Sequence, residues 1–301
     1  MIYFERYSWL LATNLRLKEI GEILNSSKSE EEIESKLEVF GKKYLERYKV
    51  FKEYKSLVSK GEVKESIIPI IGALPCVGKT TIAREIATAF GIGNVLGGDA
   101  IRASYRELID PEKHPEFFCS IYGAWQYVGD KTETKENIIL GFYKQSEIMN
   151  RLMERIVADR GIRDGESMVI EYLHFLPSQY NKKVLNHPSV IPIVLKLESE
   201  EIHRERIKLR DVLTHLKGNA KRLLDVLDKY RMMQEVQCED AKKHGVPVVP
   251  TDNFSQALDK TFDIITERIK LLNKIKETEH EHIEIIKKIK EERKRNPEER
   301  K

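Results

Sequence analysis

Residues 70–81 read Ile-Ile-Gly-Ala-Leu-Pro-Cys-Val-Gly-Lys-Thr-Thr, and they set the architecture of the chain. An apolar, β-rich run ends at Gly72, and a helical pattern covers residues 80–90 directly after the loop. Four apolar residues fall on one face of that predicted helix: Ile82, Ala83, Ile86 and Ala87. A strand, a loop that ends in Gly-Lys-Thr and a helix are together typical of a phosphate-binding loop.

The chemistry of this loop follows from its geometry. Successive backbone N–H groups surround phosphate oxygens, and the positive end of the following helix adds to their field. Lys79 is placed to reach the β- and γ-phosphates of a nucleotide, and the Thr80 hydroxyl is placed to bind Mg²⁺. The sequence therefore predicts ATP and Mg²⁺ as cofactors. The residues predicted to bind the nucleotide are Gly72, Ala73, Val77, Gly78, Lys79, Thr80 and Thr81.

Two positions of the loop depart from the usual P-loop pattern. The first glycine of the pattern is expected where the chain has Ala73, and Gly72 lies one residue earlier. Alanine fits this position only if its backbone φ is negative. Cys76 stands where the loops of nucleotide kinases often have glycine. Because Lys79 and Thr80 are intact, the prediction of ATP binding stands.

Short apolar runs alternate with helical patterns from residue 66 to residue 255. None of the runs alternates polar and apolar residues cleanly, as expected for parallel strands covered on both faces. The sequence thus predicts an α/β fold of the P-loop kinase type, with a doubly wound parallel sheet of about five strands. The predicted strands are 66–72, 94–97, 168–171, 190–197 and 246–250.

Helical patterns precede and follow the predicted sheet region in the sequence, so the chain divides into three parts. Residues 1–64 are predicted to form an N-terminal helical region, and residues 65–255 the P-loop kinase domain. Residues 256–301 are predicted to be a long C-terminal helix with a charged tail. Within the first part, one helix is predicted over residues 30–58, with Ser29 and Glu32 as a capping box.

The C-terminal helical pattern begins at Phe254 and resumes at Ile283 and Ile286 after an interruption by charged residues. We expect a helix that packs on the kinase domain, in preference to a coiled-coil seam. The final stretch, 287–301, is nearly all charge and is predicted to be disordered. The apolar seam is also compatible with a homo-oligomer through the helical termini.

The composition of the chain indicates its cellular compartment and limits the classes of binding partner. Its 52 Lys and Arg against 49 Asp and Glu give a net charge of +3, which supplies no argument for nucleic-acid binding. The charged fraction of 34% is high and is typical of thermophile proteins. Three widely spaced cysteines without a CxxC pair indicate a reducing cytosol. No signal peptide or membrane-spanning run is visible, so we expect a cytoplasmic protein without membrane contact.

The second predicted strand leads into Gly97-Gly98-Asp99, followed by Arg102. The carboxyl ends of the strands face the ligand crevice of a doubly wound sheet, which places Asp99 beside the phosphate loop. A carboxylate there can orient an acceptor hydroxyl, accept its proton or hold a Mg²⁺ ligand. Arg102 is predicted to bind an anionic acceptor, and the two glycines to give a ligand room near the backbone.

The third predicted strand ends in Glu171 and is followed by His174. A glutamate at this end of the sheet suits coordination of Mg²⁺. His174 is predicted to contact the anionic substrate, although a loop histidine is more often a plain hydrogen-bonding residue. After the fourth strand, Arg206 and Arg210 lie four residues apart on one helix face. We interpret their helix as a mobile lid that stabilises the transferring phosphoryl group.

In the order of its motifs the chain resembles the archaeal 2-phosphoglycerate kinases, a family of P-loop kinases that make 2,3-diphosphoglycerate. The resemblance covers residues 66–252, and its motifs are fairly specific only as an ordered set. The matching segments are 71–81, 98–102, 120–125, 141–145, 171–177, 203–210, 230–231 and 245–248. The chain departs from the family where Glu-Gly-Val-His becomes Glu171-Tyr172-Leu173-His174, which puts a bulky ring close to the predicted acceptor site.

The resemblance implies ATP- and Mg²⁺-dependent phosphorylation of the 3-hydroxyl of 2-phosphoglycerate or of a closely similar small anionic substrate. The predicted catalytic residues are Lys79, Asp99, Arg206 and Arg210. The predicted substrate-binding residues are Asp99, Arg102, Glu171 and His174. The predicted metal ligands are Thr80, Asp99 and Glu171.

Two other functions stay open on the sequence alone. A nucleoside or RNA-end kinase would use the basic tail and the aromatic N-terminal helices to hold nucleic acid. Its binding would depend steeply on salt concentration. A regulatory protein that binds the nucleotide without turnover is the other alternative, because the loop is altered and Tyr172 replaces a small residue.

Overall fold

The computed structural model describes residues 2–213 and 219–275. These residues form one parallel sheet of five strands in the order β2-β3-β1-β4-β5, which confirms the predicted α/β fold. Each predicted strand lies within two residues of the observed bounds. The strands are β1 Ile68–Gly72, β2 Asn94–Gly97, β3 Met168–Tyr172, β4 Val190–Lys196 and β5 Val248–Pro250.

Helices precede, connect and follow the strands. The N-terminal helices are α1 Ile2–Leu11, α2 Leu17–Ser26, α3 Glu30–Phe40 and α4 Lys42–Ser59. The helices of the α/β region are α5 Lys79–Ala89, α6 Gly98–Tyr105, α7 Pro115–Phe118, α8 Lys135–Ile156, α9 Lys182–Leu185, α10 Glu200–Leu213, α11 Asn219–Asp225 and α12 Leu227–Lys243. The last described helix is α13 Phe254–Leu272, and 3₁₀ turns cover Ile121–Tyr127 and Pro177–Gln179.

The sheet is covered on both faces, which explains why its strands read as continuous apolar runs. Ile71 and Ile193 point into the core shared with α4, α5 and α13. Their neighbours Ile70 and Val194 point into a second core shared with α8 and α9. Because β1 lies between β3 and β4, the loop after β1 opens at the centre of the carboxyl edge of the sheet.

The helix predicted over residues 30–58 is wrong as one continuous element. Gly41, with φ +136°, separates α3 from α4, and few residues other than glycine adopt this conformation. The apolar spacing continues through the break, so periodicity alone did not reveal it. Ser29 caps α3 by accepting a hydrogen bond from the Glu32 N–H, while the Glu32 carboxylate accepts from the Lys28 N–H. The predicted capping box is therefore only half formed.

Helix α4 packs directly on the α/β region. Arg47 is 2% exposed, and its guanidinium pairs with Asp259 and Asp263 of α13. Phe51 packs edge-to-face on Phe90, with the ring centroids 5.3 Å apart. Helix α4 thus shares a core with α5 and α13, whereas the buried residues of α1, α2 and α3 form a separate cluster.

Helix α13 matches the predicted start of the C-terminal helix, and its apolar stripe is buried at Ile265, Ile269 and Leu272. The interrupted seam at Ile283 and Ile286 and the charged tail 287–301 lie outside the described residues. Within the part of the chain that the structure describes, no helix is both long and apolar enough to span a membrane.

Candidate active site

The loop between β1 and α5 has the backbone geometry that its sequence requires. Ala73 is fully buried and its φ is negative, so the condition set by the missing glycine is met. Cys76 at φ +63° and Gly78 at φ +111° both adopt left-handed conformations, and Gly78 is the N-cap of α5. Gly72 has a different role, because a Cβ atom there would lie 2.7 Å from Cβ of Phe175.

Lys79 and Thr80 meet on one carboxylate, that of Glu171. The Lys79 Nζ lies 3.1 Å from Oε2, and the Thr80 hydroxyl donates a hydrogen bond of 3.0 Å to Oε1. Glu171 reaches them because it is paired with Ile71 in the sheet, one residue before the end of β1. It is only 8% exposed, so the ammonium group is a strong local counter-charge. The predicted loop residues and the predicted metal ligand Glu171 are therefore brought together.

Asp99 lies in the first turn of α6 and is exposed. The helix begins beside the loop, because Gly97 pairs with Glu171 in the sheet. Gly98 serves packing, and not the ligand access expected from the sequence. A Cβ atom on Gly98 would lie 2.2 Å from Cβ of Tyr172, so only glycine lets α6 approach β3 this closely.

Arg102 does not extend freely into solvent. Its guanidinium donates hydrogen bonds to the carbonyl oxygens of Phe117 and Cys119, and it stacks over the Phe117 ring with 5.4 Å to the centroid. Arg106, which the sequence analysis did not select, donates to the same two carbonyls. Burial, aided by the neighbouring Arg106, lowers the pKa of Arg102 to about 10. The two arginines therefore brace the end of α7 and the residue that follows it.

His174 is buried close to these cations. Its Nε2 lies 3.1 Å from Oε1 of Gln145, and its backbone carbonyl accepts a hydrogen bond from Asn150. Burial, followed by the positive charges of Arg102 and Lys79, holds the pKa of His174 well below its usual value. The ring is therefore neutral at physiological pH, and the positive charges of Lys79 in the loop and of the two arginines act on it.

Tyr172, the ring that replaced a small residue of the family motif, turns away from the site. Its hydroxyl donates to Oδ1 of Asn150 and contacts the hydroxyl of Tyr180, each at 2.7 Å. The ring packs on Phe175 within the second core. Alternation along β3 explains this, because Tyr172 shares the face of Ile170 and lies opposite Glu171.

Helix α10 is fastened to the loop through its first half. The His203 ring contacts the Pro75 carbonyl at 2.9 Å, and Arg206 donates to the Val77 carbonyl at 3.1 Å. Arg206 also donates to the hydroxyl and the carbonyl of Thr251, just after β5. Arg210 lies one turn further on, with Nη1 3.8 Å from Sγ of Cys76. Both predicted lid arginines are thus beside the loop, and Arg206 already bonds to its backbone.

Two tyrosines that were not selected from the sequence pack in the core that includes the loop residues Val77 and Cys76. Tyr230 packs edge-to-face on Tyr122, with ring centroids 6.0 Å apart. Burial raises the pKa of Tyr230, and the neighbouring Tyr122 acts in the same direction. Arg222 of α11 is exposed, and its positive charge lowers the pKa of Tyr230. The signal for Tyr122 and Tyr230 was their position in two of the ordered motifs.

Comparison with known proteins finds relatives across most of the chain, although no family model matches it. It is 32% identical over 238 residues to the 2-phosphoglycerate kinase of Methanopyrus kandleri, covering 79% of this chain and 70% of the relative. It is 34% identical over 209 residues to the 2-phosphoglycerate kinase of Methanocaldococcus jannaschii, covering 69% and 66%. The mevalonate-3-phosphate 5-kinase of Thermoplasma acidophilum is 31% identical over 198 residues, covering 66% and 95%. The chain is therefore a phosphotransferase that belongs to the 2-phosphoglycerate kinase family.

Proposed function

We propose that the chain transfers the γ-phosphate of Mg²⁺-bound ATP to a hydroxyl group of 2-phosphoglycerate or a closely similar phosphorylated hydroxy acid. One observation carries the proposal, the meeting of two sets of charged groups at the end of the sheet. Lys79, Thr80 and Glu171 form the first set. Arg102 and Arg106 form the second, and Lys79 and both arginines act electrostatically on the neutral His174 ring.

The first set fits a nucleotide triphosphate and Mg²⁺. The Lys79 ammonium and the backbone N–H groups at the start of α5 suit phosphate oxygens. Thr80 and Glu171 offer oxygen atoms, the ligand type that Mg²⁺ prefers, and this ion usually needs only one or two protein ligands when phosphates supply others. When bound with ATP, the ion neutralises charge on the β- and γ-phosphates.

The second set fits a small acceptor that already carries negative charge. Arg102 and Arg106 create a positive field, and an anionic acceptor gains from it even while both guanidinium groups hold backbone carbonyls. Asp99, exposed in the first turn of α6, is the candidate to orient or deprotonate the attacking hydroxyl. Both acceptors named for the relatives are phosphorylated hydroxy acids.

Helix α10 contributes two arginines with different proposed roles. The bonds of Arg206 to the carbonyls of Val77 and Thr251 favour a role in holding the loop in its binding conformation. Arg210 has a sulfur contact with Cys76 at 3.8 Å and lies a turn closer to the end of the helix. We therefore assign the charge stabilisation predicted for the lid mainly to Arg210.

A second candidate acceptor is mevalonate 3-phosphate. The matched region covers 95% of the mevalonate-3-phosphate 5-kinase of Thermoplasma acidophilum, against 70% of the Methanopyrus kandleri enzyme. The 198 matched residues therefore account for nearly all of that relative. The two acceptors differ in carbon skeleton, so we expect the shape of the acceptor-binding site to determine which of them is phosphorylated.

A coupled assay of ADP release tests the proposal on 2-phosphoglycerate, 3-phosphoglycerate, mevalonate 3-phosphate, glycerate and adenosine. We expect turnover with at least one of the phosphorylated hydroxy acids and none with adenosine. Turnover with adenosine alone would indicate a nucleoside kinase. ATP binding without turnover on any acceptor would indicate a regulatory protein, and either result would overturn the proposed function.

A further inference from the structure

The amide of Gln145 has only one orientation that satisfies its neighbours. Gln145 lies in α8 and is fully buried. Its Nε2 donates to the carbonyl oxygens of Glu116 and Cys119. Because carbonyl oxygens only accept hydrogen bonds, the amide nitrogen must face them. The amide oxygen Oε1 therefore faces His174.

This orientation fixes the tautomer of His174. The Nε2 atom of its ring lies 3.1 Å from Oε1 of Gln145, and an amide oxygen can only accept. Nε2 therefore carries the proton, and in the neutral ring Nδ1 carries the lone pair. Within the described residues, Nδ1 makes no hydrogen bond.

The charges around the ring limit what Nδ1 can bind. Burial keeps the ring of His174 neutral, and the positive charges of Arg102, Lys79 and Arg106 add to this effect. A lone pair on a neutral nitrogen repels the oxygen of a phosphate or a carboxylate, but it accepts a hydrogen bond from a hydroxyl group. The three cations remain available to neutralise the anionic part of the same molecule.

We propose that Gln145 is a positioning residue that presents Nδ1 of His174 as a hydrogen-bond acceptor to the hydroxyl group of the phosphate acceptor. This inference rests on the proposed function and narrows its substrate class. The acceptor must carry a free hydroxyl close to its anionic group, and His174 orients that hydroxyl without taking its proton. It replaces the contact with an anion that the sequence analysis assigned to His174.

Two substitutions of His174 separate this role from a structural one. Asparagine places an amide oxygen at the position of Nδ1, whereas glutamine places an amide group at the position of Nε2. We expect His174→Asn to keep kcat/KM within about tenfold of the wild-type value. We expect His174→Gln to lower kcat/KM by about 100-fold, because no acceptor then orients the hydroxyl group. The reverse order of activities would show that only the contact with Gln145 matters and would overturn the proposal.

Gln145→Met removes the restraint on the tautomer, and Gln234→Met is its matched control. Gln234 is also fully buried, and its amide makes two hydrogen bonds to the backbone of Leu197. We expect Gln145→Met to lower kcat/KM by about tenfold or more, as loss of an orienting partner does elsewhere. Gln234→Met should lower thermal stability to a similar extent while it leaves kcat/KM unchanged.

Nitrogen NMR of the His174 ring reads the tautomer directly and does not require turnover. We expect a protonated Nε2 and an unprotonated Nδ1 in the wild type and in Gln234→Met, and a mixture of tautomers in Gln145→Met. An unchanged ring signature in Gln145→Met would overturn the proposal. A wild type that phosphorylates no acceptor would instead overturn the proposed function, while the NMR comparison would still decide the role of Gln145.

Discussion

Cys76 holds a left-handed backbone conformation, with φ +63°, in the middle of the loop between β1 and α5. A residue with a Cβ atom pays roughly 1–2 kcal/mol for this conformation, and glycine does not. The strain is tolerated because the loop is held from both sides. Ala73 N–H donates to the Tyr172 carbonyl before it, and α10 bonds to Pro75 and Val77 within it.

Replacement of Cys76 by glycine tests this strain. We expect Cys76→Gly to raise the free energy of unfolding by about 1 kcal/mol at most, since part of the relief is offset by the greater entropy of glycine in the unfolded chain. Urea denaturation measures the change. Cys76→Ala is the matched control, because it also removes the sulfur but keeps the strain. Equal gains from both variants would show that the sulfur, and not φ, destabilises the loop.

In the function that we propose, phosphate transfer depends most on Lys79. We expect Lys79→Ala to lower kcat by about 100-fold or more, because a half-buried positive charge at the developing phosphate charge is lost. The ADP-release assay measures the change. Lys55→Ala is the control, since this half-buried lysine lines a cavity of about 670 Å³ at the opposite ends of the strands, beside Ile67 and Ser189. Full turnover by Lys79→Ala would contradict the assignment of the loop.

At the scale of elements, the approach of α6 to β3 positions Asp99 relative to Glu171. Gly98 allows this contact, since a Cβ atom would lie 2.2 Å from Cβ of Tyr172. We expect Gly98→Ala to cost about 1–3 kcal/mol of unfolding free energy, because the helix and the strand must move apart. Urea denaturation compares it with Gly93→Ala, where an added Cβ meets nothing within 4 Å. Equal costs at the two sites would contradict this packing argument.

Because α10 contacts the loop differently through its two arginines, we expect Arg206 and Arg210 to have different roles. We expect Arg206→Lys to weaken binding of a non-hydrolysable ATP analogue by about tenfold, because lysine cannot span the carbonyls of Val77 and Thr251 together. Arg210→Lys should instead lower kcat more than it lowers nucleotide affinity. Calorimetric binding and steady-state kinetics distinguish the two. A purely kinetic defect in Arg206→Lys would restore the catalytic role predicted from the sequence.

The five strands could be predicted from the sequence because each is a short apolar run next to a helical pattern. The break at Gly41 was not, since α3 and α4 carry the same apolar spacing and only the backbone of one glycine divides them. The candidate site, too, was predictable only where a local sequence motif encodes it. Lys79 and Thr80 follow from a local motif, whereas the bonds of Arg102 to the segment after α7 depend on tertiary contacts that no local pattern encodes.

At the scale of the whole molecule, buried histidines link stability to pH. Burial holds the pKa of both His174 and His203 below the usual value, with help from nearby cations. Below about pH 6.5 the unfolded chain binds protons that the folded chain does not. Stability is therefore complete above that pH and decreases as the pH falls towards the folded pKa values.

We expect the free energy of unfolding to decrease by up to about 1.4 kcal/mol per pH unit for each of these histidines, below about pH 6.5. Urea denaturation from about pH 7.5 down to about pH 5.5 measures the slope. His203→Gln should reduce it, because one of the two groups is removed. A stability that stays constant or rises over this interval would contradict the buried, neutral state of the two rings.

We propose above that this molecule moves phosphate from ATP to the hydroxyl of an anionic acceptor. Phosphorus NMR of the protein with Mg²⁺, ATP and 2-phosphoglycerate tests it most directly. We predict that ATP signals are replaced by those of ADP and of a doubly phosphorylated glycerate, in equal amounts. ATP that stays intact with 2-phosphoglycerate and with mevalonate 3-phosphate, although the nucleotide is bound, would contradict the account.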